Sequence, residues 1–576
     1  MSSNLIEYAK EQLREKILES LGLAITNGNL PAQPVKSFTI EIPASKVHGD
    51  LATNIAMVCA KSFKMSPIQI AQIITENMNL DGTYFERYNI VSPGFINIFL
   101  KPSWFKDVLA DININKQDYG RSKLGEGKKV MVEFVSANPT GVMHLGNARG
   151  GVLGDCLASV LETCGFDVTR EFYVNDAGNQ IFNFGRSLEA RYLQIFKGKD
   201  EVEFPEDGYH GQDILELAKD FAEINSDKFV DQDSETRRKA IVEFALPKNI
   251  DKMKNDLKRY KIEYDVWFKE SSLYKNNLVN KIIEILKQKD FVFEKDGAIW
   301  YKASELGGEK DEVLVRANGF STYFAADIAY HYNKFVVRNF DKVINIWGAD
   351  HHGHVARLKG AMDVLGIDSS RLDIILNQLV RLTKDGQVIK MSKRTGKSIT
   401  LVDLLDEVPV DAARFFFNMR EAGSHLDFDL DLAVKTSSEN PVYYVQYAHA
   451  RICSILSKAK ENNINLDQEL INDLINNQEI ILETDEEKEL IKILALYPSE
   501  LESVALSYDC SMITKYAVNL ASSFHRFYNS CKVISDNLEN LNNKNISCLR
   551  LLICESTKIV LRNVLNLIKI EAPEKM

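Results

Sequence analysis

Three features of this sequence predict an α/β multidomain protein. It should have a Rossmann-type doubly wound parallel sheet as its core, an α+β N-terminal domain and an all-α C-terminal helical bundle. First, from Lys129 short apolar runs alternate with helical ones: Val130 to Val135, Asn147 to Cys164, Val168 to Val174. Second, the same rhythm returns from Lys342 to Trp347 and from His354 to Leu365. Such alternation argues for parallel strands joined by crossover helices, with ligands beyond the carboxyl ends of the strands. Third, past about residue 410 nearly everything carries helical spacing, with Asn, Lys and Glu on the outer faces.

The opening segment places Leu5, Ile6, Ala9, Leu13, Ile17, Leu18 and Leu21 at helical spacing, with Glu7, Glu11, Glu15 and Glu19 on the other faces. A strand is expected over Ser37 to Ile42, a helix over Leu51 to Phe63 and a strand over Gly94 to Leu100. The glycine- and charge-rich run Tyr119 to Gly127 marks a boundary. It is not a phosphate-binding loop of the Walker kind, because no glycine sits five residues before Gly127 and no Ser or Thr follows Lys128. Between about residues 185 and 295 the alternation gives way to a charged, helical insertion. Strands around Leu376 to Leu382 and at Val388 and Ile389 come after the second strand–helix set. In the C-terminal part, Val442 to Lys460 and Ile513 to Val533 are the clearest helices. The Asn-rich stretches Asn472 to Asn477 and Asn537 to Asn545 read as loops. The domain limits implied are 1–118, 119–410 and 411–576.

With 576 residues, core burial is not limiting. The net charge of −11 argues against indiscriminate coating of nucleic acid, though not against a local basic contact. Eight cysteines are scattered without a Cys-X-X-Cys pair, so neither structural zinc nor disulfides are expected. The acidic first helix is unlike a secretory or transit leader, and no apolar run of about 18 residues is present for a membrane span. The expectation is a cytoplasmic protein with no membrane association.

Two segments carry chemistry. His144-Leu145-Gly146-Asn147 stands where a strand hands over to a helix, behind Thr140 and Gly141. Helix N-termini offer unpaired N–H groups to phosphate, and glycines let a ligand approach the backbone. An ordinary turn capped by Asn147 would look the same. Lys390-Met391-Ser392-Lys393-Arg394-Thr395-Gly396-Lys397 puts four cations within eight residues. A solvated basic loop would too, yet two lysines closing on a polyphosphate would offset charge developing in phosphoryl chemistry. His351-His352-Gly353-His354 invites a metal reading, but three histidines in four residues of a strand–helix turn do not readily converge on one ion. No metal ligands are assigned.

The pairing of these two segments, and the full run of the chain, resembles the bacterial arginyl-tRNA synthetases of class I. The resemblance rests on Val132 to Gly141, on His48-Gly49-Asp50-Leu51-Ala52-Thr53-Asn54 and on Trp347-Gly348-Ala349-Asp350-His351-His352. Phe524 to Asn529 and the ending Glu571 to Met576 extend it. It implies activation of L-arginine with ATP to arginyl-adenylate, then transfer to the 3′-terminal adenosine of tRNA(Arg), with Mg²⁺ on the phosphates and the first step dependent on bound tRNA. Asn147 stands where most class I enzymes have a second histidine. An amide can donate to phosphate but cannot titrate, so its role there is electrostatic.

By the same resemblance His144, Asn147, Lys390 and Lys393 are catalytic. ATP is held by Thr140, Gly141, His144, Gly146, Asn147, Gly348, Asp350, His351, Met391, Ser392 and Lys393. Arginine is held by Glu133, Ser136, Asn138, Tyr323, Asp327 and His351. A carboxylate such as Asp327 suits a planar guanidinium, while Glu133 suits either that group or the α-ammonium. Structural ion pairs are the alternative for both acids. Tyr443, Tyr447, Phe527, Tyr528 and Met576 are the tRNA contacts, some of the aromatics being equally suited to a helical core. A monomer is expected. Competing readings are a class I synthetase for lysine, cysteine or glutamine, a non-catalytic tRNA-binding protein on the same frame, and a small-molecule nucleotidyltransferase.

Overall fold

A computed structural model of the chain describes residues 4–389, 399–464, 466, 468–476 and 482–576. At its centre five strands lie parallel in the order Leu372–Asn377, Lys342–Gly348, Lys129–Glu133, Asp167–Val174, Val266–Lys269. The helix Leu145–Thr163 crosses over from the central strand to its neighbour, and it packs tightly because its inner face is small. A Cβ on Gly154 would sit 2.3 Å from the Phe134 ring, and one on Gly151 would sit 2.9 Å from Ile262. Glycine there lets helix and strand approach within contact distance.

The N-terminal region forms a four-stranded antiparallel sheet, Ile40–Glu41, Leu51–Thr53, Phe95–Leu100 and Phe85–Val91, covered by helices Leu5–Thr26, Ile55–Phe63 and Pro67–Glu76. The helix expected from Leu51 therefore begins only at Ile55. Leu51, Ala52 and Thr53 pair with Ile98, Asn97 and Ile96, and that ladder outcompetes the helical start.

The helical insertion consists of helices Gly178–Lys197, Gln212–Asn225 and Ser234–Arg259, with a core of its own around Phe184, Tyr192 and Phe221. It does not run helically to 295, because Val266–Lys269 is the edge strand of the parallel sheet. The C-terminal region holds helices Pro441–Glu461, Asp485–Ser507, Ser511–Ser530 and Leu541–Leu567. Three departures occur here. Leu426–Asp429 is a strand beside Val380–Lys384, the expected loop at Asn472 falls within the helix Gln468–Asn476, and the loop expected from Asn537 to Asn545 ends at Asn540, whose side chain caps the helix Leu541–Leu567. Arg414, fully buried, ties the layers together: it donates to Asp155 of the sheet-covering helix and to the Ile568 carbonyl near the chain end. No helix among the described residues is long and apolar enough to cross a membrane.

Candidate active site

The central strand Lys129–Glu133 is flanked by Asp167–Val174 on one side and by Lys342–Gly348 on the other. Its crossover runs to the first side, so the loops after the central strand and after Lys342–Gly348 diverge, and ligands bind in the crevice so formed. A cleft of about 860 Å³ fills it. Thr140, Gly141, His144, Gly146, Asn147, Gly348, Asp350 and His351 line it, as do Ser136 and Asn138.

The loop after the central strand turns sharply. Val135 and Ser136 both adopt positive φ, 68° and 40°, a region that β-branched residues rarely enter. That turn brings the Ser136 hydroxyl back to donate to Glu133 Oε1 at 3.0 Å while it accepts from the Tyr173 N–H at 3.1 Å. The insertion braces the same loop, with Asn249 Nδ2 donating to the Pro139 carbonyl at 3.0 Å. Beyond it His144 occupies the N-cap of Leu145–Thr163, and its N–H donates to Asn147 Oδ1 at 3.0 Å. Asn147 is thus a capping residue, with its oxygen committed and its amide nitrogen the group left to donate. Cβ atoms at Gly141 and Gly146 would meet nothing within 4 Å, so both face open space.

Lys390, Met391, Ser392 and Lys393 lie outside the described residues. The chain just beyond them is placed: Thr400 bridges His144, and the Leu401 N–H donates to the Met143 carbonyl at 2.9 Å. The segment leading out of the lysine signature, some 250 residues from the first signature in sequence, is therefore its neighbour at the helix N-terminus.

Deeper along the sheet edge the site becomes acidic. Tyr323 and Asp327 stand one turn apart on the helix Tyr323–Tyr332. Asp327 Oδ2 lies 2.8 Å from His354 Nε2. Glu270, which sequence reasoning missed, comes directly after the edge strand and is 1% exposed. Its carboxyl accepts from Tyr274 at 3.2 Å. Asn175, with its amide nitrogen turned to it, donates at 3.0 Å. Burial first, then the nearby charges of Asp327 and Asp176, pushes the Glu270 pKa up to about 7, against the lowering effect of hydrogen bonds from Tyr173 and Tyr274. Asp176 itself is held by Ser271, which donates from both N–H and hydroxyl. The sequence signal for Glu270 is the short apolar run Val266-Trp267-Phe268, which lies inside the stretch expected to be helical.

Glu133 is 5% exposed, and its Oε2 accepts from Lys334 Nζ at 2.5 Å, the lysine being wholly buried. Lys334 also donates to Asn345 Oδ1 at 3.1 Å. Asn345 Nδ2 lies 2.9 Å from His331 Nε2, and His331 Nδ1 lies 2.8 Å from the Asp327 carbonyl. Burial holds the His331 pKa well below the usual imidazole range, so its ring is neutral, Nδ1 donating and Nε2 accepting. A continuous chain of hydrogen bonds thus joins Glu133 to Asp327. Lys334 turns inward from a π-helical turn, Asn333–Val337, of the kind often found beside functional sites.

On the C-terminal bundle Tyr443 and Tyr447 stack at 6.2 Å with an interplanar angle of 7°, and His525 lies 6.1 Å from Tyr447. Arg451 donates to the Tyr447 hydroxyl at 2.8 Å and sits over the Tyr528 ring. Tyr528 and Met576 are exposed. Phe527 is a correction: it is fully buried against Phe524, one turn away on the inner face, and offers no surface to a base.

A helix N-terminus open at the switch point of a doubly wound sheet has the donors that suit a phosphate, so the class is a doubly wound α/β protein with a cleft at the strand ends and an acidic pocket next door. Comparison with known families is specific. Residues 10–100 match the arginyl tRNA synthetase N terminal domain, 108–478 the class I (R) tRNA synthetase catalytic domain, and 445–576 the DALR anticodon binding domain. An arginine–tRNA ligase of Acetivibrio thermocellus is 54% identical over 574 residues, covering 100% of both chains, and one of Ruminiclostridium cellulolyticum is 52% identical over 573, again covering 100% of both. A solved arginyl-tRNA synthetase of Thermus thermophilus superposes with a TM-score of 0.70 at 20% identity, covering 98% of this chain and 100% of that one, a likeness of fold. The chain belongs to the arginyl-tRNA synthetase family.

Proposed function

We propose that this chain is an arginine–tRNA ligase and that the acid pocket around Glu270 and Asp327 receives the arginine side chain. The observation that carries the reading is the convergence of these two carboxylates, Glu270 sealed and Asp327 half-buried, beside the nucleotide cleft. Two such acids repel each other, and a planar five-donor guanidinium relieves that repulsion while satisfying both. Lysine's ammonium would leave part of the pocket unpaired. Glu133 is engaged by Lys334 and Ser136, so it enters as support for the substrate's α-amino end, with exposed Asn138 and His351 at the rim.

In the first step the arginine carboxylate oxygen attacks the α-phosphorus of ATP and pyrophosphate leaves. In the second a ribose hydroxyl of the terminal adenosine attacks the carbonyl and AMP leaves. No enzyme nucleophile is needed; placement and charge stabilisation suffice. His144, the Asn147 amide and the helix N-terminus serve the α-phosphate, with Lys390 and Lys393 assigned to the departing phosphates by family likeness. Mg²⁺ enters with the nucleotide as part of that substrate, with Asp350 the carboxylate at the cleft rim. The stacked Tyr443 and Tyr447, with Tyr528 and Met576, form the face offered to tRNA bases. We set the domain limits at 1–118, 119–410 and 411–576, and read the protein as a cytoplasmic monomer.

The test is ATP–pyrophosphate exchange with purified chain and tRNA. Exchange is expected with arginine and only when tRNA is present. Exchange supported by lysine or cysteine and not by arginine would overturn the assignment.

A further inference from the structure

The last histidine of His351-His352-Gly353-His354 remains without a role, and its surroundings give it one. His354 sits in the first turn of the helix His352–Val364, its side chain 12% exposed, between the rings of Phe324 and Trp347. Arg357, one turn on, directs Nε and Nη2 at His354 Nδ1, at 3.0 and 2.7 Å. A guanidinium can only donate, so Nδ1 must accept and the ring carries its proton on Nε2. That proton points at Asp327 Oδ2, 2.8 Å away. Arg357 is itself fixed by Glu312, which accepts from Nη1, and by packing over the Phe324 ring at 5.4 Å. Anchored on Glu312, Arg357 thus donates to His354 and His354 to Asp327, a one-directional relay that ends on a pocket carboxylate.

We propose that His354, with its tautomer set by Arg357, is a positioning residue for arginine selection: it pins one oxygen of Asp327 so that the other meets the guanidinium. The inference rests on the reading that Asp327 takes the substrate side chain. One turn on, His331 Nδ1 lies 2.8 Å from the Asp327 backbone carbonyl, so a second imidazole holds the helix turn while His354 holds the carboxylate. Without the His354 bond the carboxylate is free to rotate, and a planar contact with a guanidinium, which needs donors and acceptor in one plane, loses its geometry. Recognition of a cation by charge alone survives such rotation; discrimination by shape does not. His354 thus acts on selectivity for arginine over lysine as well as on affinity.

The test measures KM for arginine and for ATP, in tRNA-dependent exchange, for wild type, His354→Ala, His354→Gln, Asp327→Asn and the Asp327→Asn/His354→Ala double variant. A glutamine amide nitrogen can reach the place of Nε2 and donate. His354→Ala is expected to raise arginine KM about tenfold to a hundredfold, with ATP KM within about twofold of wild type. His354→Gln is expected to recover most of the loss, and the double variant to be no worse than Asp327→Asn. An unchanged arginine KM in His354→Ala, equal impairment of the Gln and Ala variants, or additive losses in the double variant would overturn the positioning role. If Asp327→Asn itself leaves arginine KM unchanged, it is the assignment of Asp327 to the substrate that fails, and the relay's role falls with it.

Discussion

The two halves of the sheet edge are built on opposite physical terms. At the half proposed to hold the nucleotide the groups facing the cleft belong to backbone and cap: an open helix N-terminus, two glycines facing open space, an exposed histidine and a capping asparagine. At the half proposed to hold the amino acid they are buried ionisable side chains, with Glu133, Lys334 and Glu270 all nearly sealed from water. A polyphosphate brings its own charge and metal and asks only for placed donors, so that half is easily held in shape. A side chain selected for its charge needs opposing charges already desolvated, and the fold must hold those against their repulsion. The two halves should therefore fail differently under substitution.

The largest effect is expected at the buried half. Lys334→Met removes the cation from a sealed Glu133 and should cost about 3–5 kcal/mol of stability, read as a fall in the denaturant midpoint. Loss of activity with unchanged stability would mean that Lys334 serves the chemistry and does not hold the buried Glu133. On the other half, His144→Ala should lower kcat for exchange about 10²–10³-fold while leaving the unfolding midpoint near wild type; a comparable loss of stability would make His144 structural. On the bundle, Tyr447→Ala should weaken tRNA binding by about 1–3 kcal/mol, as for a lost stacking partner, without changing arginine or ATP KM.

The smallest effect is one of pH and falls on Glu270 alone. Glu270 has its carboxyl raised to about 7, above the ordinary carboxylate value, so on lowering the pH through about 7 it gains a proton that the unfolded chain would not yet bind. If Glu270 receives arginine as proposed, binding takes the ionised form, so arginine affinity should rise as pH rises through about 7 and binding there should release a proton. The same raised pKa makes the folded state lose stability, not gain it, as pH climbs from the ordinary carboxylate value to about 7. Calorimetry in buffers of different ionisation heat reads the released proton directly. The absence of proton release at pH 7 would mean that Glu270 stays protonated in the complex.

The same contrast explains what the sequence disclosed. The half proposed for the nucleotide is made of two contiguous stretches, Thr140 to Asn147 and Gly348 to His351, each lying at the end of one strand. Local motifs of that kind are legible. The half proposed for the amino acid draws Glu133, Glu270, His354 and the pair Asp327 and Lys334 from four separate segments, and only the sheet order brings them together. Glu133 and Asp327 are reached only through family likeness. Glu270 is hidden because Val266–Lys269 is too short to show alternation and its flanks are charged and helical. In the fold, alternation around the sheet is plain, while Leu51–Thr53 and Leu426–Asp429 escape notice because their strand character comes from partners across the sheet. Phe527 is misplaced for a related reason: helical spacing alone does not say which face turns inward.

The separation of the halves is tested most directly by Glu270→Gln, with KM for arginine and for ATP followed from about pH 6 to 8 in tRNA-dependent exchange. A raised arginine KM that no longer varies through pH 7 is expected, with ATP KM unchanged. A parallel rise in ATP KM, or a pH dependence that persists in the variant, would contradict it.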